Sequence, residues 1–417
     1  MKNARPYPCA TITPKGERAL TSGHPWVYDA EVTELVPAPG ETEVKNGSIV
    51  DVVSRKGSYL GSGTISQSSK IRIRLITRNA NDRFDDAFWM RKVRWAWDHR
   101  KATMGEDTSS CRVIFSEADD FGGLIVDKFE DVLVAQVLSI GMEAHKQQIF
   151  DALLAVFTED GIAIRGIYER NDVSSRKLEG LPETTGWARY DENAETPKSD
   201  TSVTINENGV RYFVDFENGQ KTGFFLDQKY NRRAVAKIAQ GKRVLDCFTH
   251  TGSFALNAAL GGAADVNAVD ISELAVAQAR KNAQLNGLEE CMDFTATNVF
   301  DLLPALEAAH DRTYDFIVLD PPAFTKSRKT IDSAARGYKE INLRAMKMVK
   351  PGGYLITCSC SQHILPDAFM QIVRDAAHDA HVQLRQVEYR TQGRDHPILP
   401  AAPETQYLKC GIFQIFD

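Results

Sequence analysis

The sequence predicts an α/β protein: an open, doubly wound C-terminal sheet preceded by a small β domain and a small α+β domain. Three observations predict it. Apolar runs recur after residue 243 with helix-like stretches between them, the pattern of parallel strands and their crossovers. Two of these runs end in a carboxylate, at Asp246 and Asp270, with a small-residue turn after the first. Before residue 78, β-type runs are instead separated by Gly, Pro and Asn turns. At 417 residues the chain exceeds one compact core, and 43% apolar with 25% charged residues is ordinary globular composition.

The first region, 1–78, contains the runs Ala10–Ile12, Trp26–Tyr28, Ser48–Val53, Tyr59–Ile65 and Ile71–Ile76. Alternation puts Lys70, Arg72 and Arg74 on one face and Ile71, Ile73 and Leu75 on the other. That basic face is either a solvated edge strand or an RNA-contacting surface. The second region, 79–195, opens with a helix over Ala80–Lys101, where Trp95 and Trp97 are interleaved with Arg91, Lys92 and Arg94. Its aromatics either pack a core or stack on bases. Strands follow at Val113–Phe115, Gly123–Val126, Val132–Leu138 and Ile162–Tyr168, with a helix over Ala144–Phe157. The polar stretch Asp191–Asp200 reads as a linker.

The third region, 196–417, begins with a hairpin around Asn208-Gly209. Parallel strands are expected at Val244-Leu245, Val266–Val269, Asp293–Ala296, Phe316–Leu319 and Tyr354–Thr357. Ser272 and Gly287 bracket a helix as its cap and stop. Strand ends of such a sheet face ligands. After Asp246 the turn carries Thr249 and Gly252 but lacks a G-x-G-x-x-G pattern, which argues against a pyrophosphate and suits a phosphate-free nucleoside such as S-adenosylmethionine. Turn N–H groups would face that ligand, and Asp270 would accept its ribose hydroxyls. Asn298 either meets the adenine edge or caps a helix. The fourth strand ends in Asp320-Pro321-Pro322, which fixes a carboxylate for the edge of a flat base. Beside it the fifth strand ends in Cys358-Ser359-Cys360-Ser361, and a thiolate there can add to C6 of a pyrimidine. Ahead of the sheet, Gln228, Asn231 and Arg232 stand at a helix start, within reach of a ligand carboxylate.

The net charge of −6 offers nucleic acid no global attraction. Residues 1–78, however, carry 11 Lys and Arg against 7 Asp and Glu. No apolar run is long enough for a membrane helix, and the seven scattered cysteines lack a C-x-x-C, so a reduced, cytoplasmic protein without structural zinc is expected.

Several motifs in one order resemble a known family: the PUA-domain class I S-adenosylmethionine-dependent RNA methyltransferases of the type that makes 5-methylcytidine in large-subunit (23S) ribosomal RNA. They are Gly23-His24-Pro25-Trp26-Val27-Tyr28, Asp120 to Asp127, Tyr168 to Val173, Gly223 to Gln228, the 246–252 turn, Asp320-Pro321-Pro322, Arg336 to Asn342, Ser359-Cys360-Ser361 and Asp395-His396-Pro397. The resemblance implies a β-barrel-like PUA domain, a central α+β domain and a Rossmann-like methyltransferase sheet. It implies that Asp246, Thr249, Gly252, Asp270, Asn298 and Asp320 surround the cofactor, with Gln228 and Arg232 near its methionine end. Cys360 is implied as nucleophile and ribosomal RNA or a large-subunit precursor as partner, while a homodimer stays open. Two other functions are weighed against this one. Amino-group methylation of guanine or adenine needs no thiol, and an RNA-binding assembly factor needs no activity.

Overall fold

The computed structural model describes residues 5–309, 312–325 and 327–416. The chain divides into two compact units, one of Met1–Ile205, Val214–Leu226 and Arg394–Thr405, the other of Asn206–Phe213, Asp227–Gly393 and Gln406–Asp417.

The first unit contains two sheets. Strands β1 (Cys9–Ile12), β2 (Trp26–Tyr28), β3 (Val32–Val36), β4 (Ile49–Val53), β5 (Tyr59–Ile65) and β6 (Ile71–Thr77) form a sheet of order β2-β6-β5-β4-β1-β3. Helix α1 (Pro14–Thr21) starts on a Thr13 cap with proline in its first turn. Strand β6 lies inside this sheet, paired to both β2 and β5, so the edge-strand reading of Lys70 to Leu75 does not hold. Its apolar face is nonetheless the inner one, with Ile73 and Leu75 buried.

Helix α2 runs over Asp86–Met104, later than the expected Ala80, because the Asp85 carboxylate accepts the Phe88 N–H at 2.9 Å and sets the N-terminus. Its Trp97 is buried in the core with Trp89, but Trp95 is 59% exposed, with Arg91 and Lys92 over its ring. Core packing therefore accounts for one of the two flagged tryptophans and not the other. Strands β7 (Ser110–Phe115), β8 (Leu124–Phe129), β9 (Val132–Val137), β10 (Gly166–Arg170) and β11 (Thr185–Tyr190) form the second sheet, ordered β11-β10-β9-β8-β7. Helix α3 (Ile140–Glu159) is the crossover between the parallel strands β9 and β10. The Asp395 segment belongs to this unit as well: Arg100 donates to the Asp395 carbonyl at 2.8 Å, and the Asp395 carboxylate accepts the Arg112 N–H at 2.9 Å.

A hairpin of β12 (Ser202–Glu207) and β13 (Val210–Asp215) follows. Asn208 and Gly209 have φ of 58° and 87°, the paired positive values of a tight type I′ turn.

Helix α4 (Lys229–Ile238) leads into the seven-stranded sheet of the second unit. Its parallel strands are β14 (Arg243–Cys247), β15 (Asp265–Asp270), β16 (Met292–Ala296), β17 (Phe316–Leu319) and β18 (Tyr354–Ser359), linked by α5 (Ser253–Leu260), α6 (Glu273–Asn286), α7 (Val299–Ala308) and α8 (Ile331–Met348). Buried strands such as β17, which has no exposed residue, read as unbroken apolar runs because helices cover the sheet. Helix α6 begins on the Ser272 side chain and ends at Gly287, which has φ +65°, as the sequence predicts. After α9 (Pro366–Ala380) come β19 (Gln383–Arg390) and β20 (Lys409–Phe416), two strands the sequence reading did not name. The order is β16-β15-β14-β17-β18-β20-β19, with β20 antiparallel to both its neighbours. Chain direction across the sheet reverses between β14 and β17, which makes their carboxyl ends the topological switch point where open α/β sheets bind ligands.

Candidate active site

Strand β14 carries Asp246 to the switch point with no exposed surface. One carboxylate oxygen, Oδ2, accepts the Thr249 hydroxyl at 2.6 Å and the Ala255 N–H in the first turn of α5 at 2.9 Å. The other, Oδ1, is buried without a hydrogen-bond partner among the described residues. Burial pushes the Asp246 carboxyl up to about 7; the two hydrogen bonds oppose this, and the Asp320 and Asp270 charges add to it.

The following turn is strained. Phe248, His250 and Gly252 have φ of 65°, 52° and 83°, and the two non-glycine residues each cost on the order of 1–3 kcal/mol in that region. What holds the turn is Asp270 at the end of β15: one oxygen accepts the His250 N–H and the other the Ser272 N–H, both at 2.9 Å. The turn's backbone is thus largely committed within the protein, contrary to the expectation that its N–H groups face a ligand. Thr249 donates to Val269 and Gly252 to Thr249. Gly252 is needed for its positive φ and for the approach of α6, since a Cβ there would stand 3.0 Å from that of Ala279. The hydroxyl of Thr251, like Asp246 Oδ1, is buried without a partner among the described residues. Asn298 caps α7 by accepting the Phe300 N–H at 3.1 Å, as the helix-cap alternative expects.

Across the switch point, Asp320 accepts the Gln228 side-chain amide at 2.9 Å, and the Gln228 carbonyl accepts that of Asn231 at 2.6 Å. Arg390 of β19 donates to Asn231 at 3.0 Å, completing a polar chain from the last strands to the carboxylate. Arg232 is 1% exposed, its guanidinium forked onto Glu207 at 2.6 and 2.9 Å. Removing one partner of such a buried pair leaves an uncompensated charge. Arg232→Ala is therefore expected to lower unfolding stability by about 3–5 kcal/mol in the cofactor-free protein. Urea denaturation without ligand checks this, and unchanged stability would assign Arg232 to ligand binding alone.

The two flagged thiols sit in different surroundings. Cys358 is sealed between β18 and β20 opposite Cys410, and burial first, then Cys410, holds its thiol well above the ordinary range. Cys360, just past β18, is half-buried, its Sγ 4.0 Å from the Pro321 carbonyl. Next to it Ser361 hydrogen-bonds the Tyr338 hydroxyl at 2.8 Å. That gives the Arg336–Asn342 motif a structural role: Tyr338, buried on α8 against Phe324, braces the strand end that carries Cys360. Tyr338 and Lys409, whose ammonium donates to the Ser361 carbonyl at 2.8 Å, were missed as site residues. The available signal for Lys409 was a single cation in the otherwise apolar run Leu408 to Phe413.

In the first unit the basic residues at the start of β6 and just before it, Lys70, Arg72 and Arg74, do not form one open face. Arg74 pairs with Glu179 at 3.0 Å and Glu117 at 3.7 Å, Arg72 pairs with Asp29, and Lys70 is exposed. Among the described residues no group of three or more His, Cys, Asp or Glu is placed to hold a metal ion, and no helix is long and apolar enough to cross a membrane.

Residues 10–78 match the model of a PUA-like domain, and residues 191–408 match that of an S-adenosylmethionine-dependent methyltransferase. The chain belongs to the S-adenosylmethionine-dependent methyltransferases. Curated relatives of this methyltransferase include the ribosomal RNA large subunit methyltransferase I of Shewanella amazonensis, 39% identical, covering 95% of this chain and 97% of the relative. The protein of that name from Aeromonas salmonicida is 40% identical, covering 94% and 96%. A Streptococcus mutans structure, assigned as a methyltransferase of the same cofactor class, shares the fold with a TM-score of 0.78 at 21% identity, covering 97% of this chain and 99% of that one. The residues at the switch point fit the cofactor: two buried polar atoms, Asp246 Oδ1 and Thr251 Oγ1, lack partners among the described residues, and a polar, cationic ligand would supply them.

Proposed function

We propose that this methyltransferase modifies C5 of a cytidine in large-subunit (23S) ribosomal RNA, through a covalent bond between Cys360 Sγ and C6. The observation that carries the reading is the position of Cys360: half-buried, beside the Pro321 carbonyl, one strand from Asp320. A reactive thiolate needs such a partly exposed polar site, which Cys358 lacks. The names of the relatives, aligned over nearly the whole chain, support ribosomal RNA as substrate.

Asp246, Thr249, Gly252, Asp270, Asn298 and Asp320 line the cofactor side, with Gln228 at the methionine end. Arg232 serves there by anchoring α4 through Glu207 rather than by touching the ligand, because its fork is occupied. When bound, S-adenosylmethionine supplies an electrophilic methyl group on a sulfonium. The target cytidine is extruded from its stem or loop into the pocket. The Asp320 carboxylate accepts a hydrogen bond from the N4 amine at the N3/N4 edge and orients the ring. Cys360 Sγ bonds to C6, and the C5=C6 electron pair makes C5 nucleophilic. After methylation C5 gives its proton to water, the C5–H electron pair re-forms the C5=C6 double bond, and the S–C6 bond breaks as Cys360 leaves as thiolate. Positioning and preorganised charge supply most of the rate. In the PUA-like domain, exposed Lys70 is the contact proposed for the RNA backbone, whereas Arg72 is committed to Asp29 and Arg74 to its two glutamates.

Ribosomal RNA from a strain lacking the enzyme, methylated in vitro and digested to nucleosides, tests the reading. Mass analysis should find 5-methylcytidine. An N-methylated guanine or adenine in its place would overturn the C5 chemistry and favour the thiol-independent alternative.

A further inference from the structure

A buried lysine in the second unit has no place in the mechanism above. Lys409 opens β20 opposite Ser359 and is 1% exposed. Its Nζ donates to the carbonyls of Ser361 and Tyr407, each at 2.8 Å. Among the described residues it has no ion pair with a carboxylate. A buried ammonium without a counter-charge is expensive, and two neutral carbonyls compensate only in part. The nitrogen has three positions beyond its carbon. Two are spent on carbonyls; the third is an N–H in the ammonium and a lone pair in the amine. Burial brings the group down to about 8, so both forms are accessible near neutrality, and a thiolate at Cys360 would pull it back up.

We infer that Lys409 sets the proton state of Cys360: fixed by the carbonyl that follows the thiol, its amine takes the Sγ proton and its ammonium then stabilises the thiolate. This rests on the reading of Cys360 as nucleophile. The step balances without another reactant. The S–H bond breaks, an N–H bond forms, and the sulfur lone pair goes to C6. When the S–C6 bond breaks at the end of the cycle, the released thiolate recovers its proton from Lys409. The other titratable groups nearby are placed differently. Tyr338, from α8, is committed to Ser361. Cys358 and Cys410 are sealed thiols between the strands. Tyr407 hydrogen-bonds Asp227, and Asp320 at the end of β17 is held by Gln228.

The test is the pH dependence of Cys360 alkylation by iodoacetamide, read on its own peptide by mass spectrometry so that the other thiols do not contribute. In the wild-type protein the midpoint should fall at least about one unit below the ~8.5 of a free thiol. Lys409→Met should raise the midpoint by about one unit or more, which lowers alkylation at pH 7 about tenfold. Its kcat should fall while KM for the cofactor stays unchanged. Lys409→Arg keeps a positive charge and should restore the low midpoint, which a merely structural lysine would not require. An ordinary wild-type midpoint overturns the inference without any variant, and so does an unchanged midpoint in folded Lys409→Met. If Cys360→Ala retains activity, the nucleophile reading falls instead, and the alkylation profile still reports separately on whether the two groups are coupled.

Discussion

Cys360→Ala is expected to reduce methyl transfer to ribosomal RNA to below about a thousandth of the wild-type rate, the scale of loss when a covalent nucleophile is removed. Cofactor affinity should be unchanged. The reason lies in how the site is divided. In the proposed site the cofactor-side residues come from the ends of β14, β15, β16 and β17, from the 246–252 turn and from Gln228, whereas Cys360 follows β18, beyond Asp320. Its truncation removes one half-buried sulfur and leaves the Tyr338–Ser361 brace in place, so folding should survive. Single-turnover transfer of labelled methyl, together with cofactor titration by calorimetry, checks both halves. Full activity in the alanine variant sinks the covalent mechanism. Cys358→Ala, by contrast, should reduce stability and leave the chemistry intact, because that thiol is enclosed against Cys410.

Asp246→Asn should make the ligand-free protein more stable at pH 8 while it weakens cofactor binding at least about tenfold, the scale of one lost charge-assisted contact. The folded-state carboxyl is raised to about 7, chiefly by burial, above its unfolded value of roughly 3.9. Below pH ~4 both states hold the proton, and the group contributes nothing to pH dependence. Between pH ~4 and 7 the unfolded chain ionises first, so stability falls as pH rises, and the full penalty is present above 7. A gap of about three units corresponds to an upper bound of roughly 4 kcal/mol. The amide can still accept from Thr249 and Ala255, so most of the turn's support is kept. Urea denaturation of both proteins at pH 5 and pH 8 measures the effect. If the variant is the less stable at pH 8 and the pH difference is unchanged, burial of this carboxylate is not what the turn holds in reserve for a cationic ligand.

Legibility followed sequence distance. The Asn208-Gly209 turn, the Ser272 cap and the Gly287 stop are each specified within a few residues, and each appears where the local pattern puts it. The inner strands β14, β17 and β18 are also readable, since burial on both faces forces continuous apolar character, whereas edge strand β16 is only partly buried. Helix α2 shows how a single side chain sets a boundary: the apolar pattern extends upstream, but the helix starts where the Asp85 carboxylate accepts the Phe88 N–H, one of its first free donors. Trp95 and Trp97 differ by two residues, which on a helix turns them to different faces, and only packing against the sheet decides which face is inside.

By itself the sequence determined the fold class, the strand ends that carry Asp246, Asp270, Asp320 and Cys360, and the resemblance that named the cofactor. These are properties of periodicity and short motifs. Only the tertiary structure decided what those side chains are bonded to. Arg232 is taken by Glu207, 25 positions away, and Arg74 by Glu179, 105 positions away. Cys358 is closed off and Lys409 is brought to the Ser361 carbonyl, next along the chain from Cys360, because β20 enters antiparallel beside β18, pairing Cys358 with Cys410 and Ser359 with Lys409. Whether a charge is available to a ligand depends on which partner reaches it first and how much water remains. Both are set by contacts between elements far apart in the chain, which no local pattern encodes.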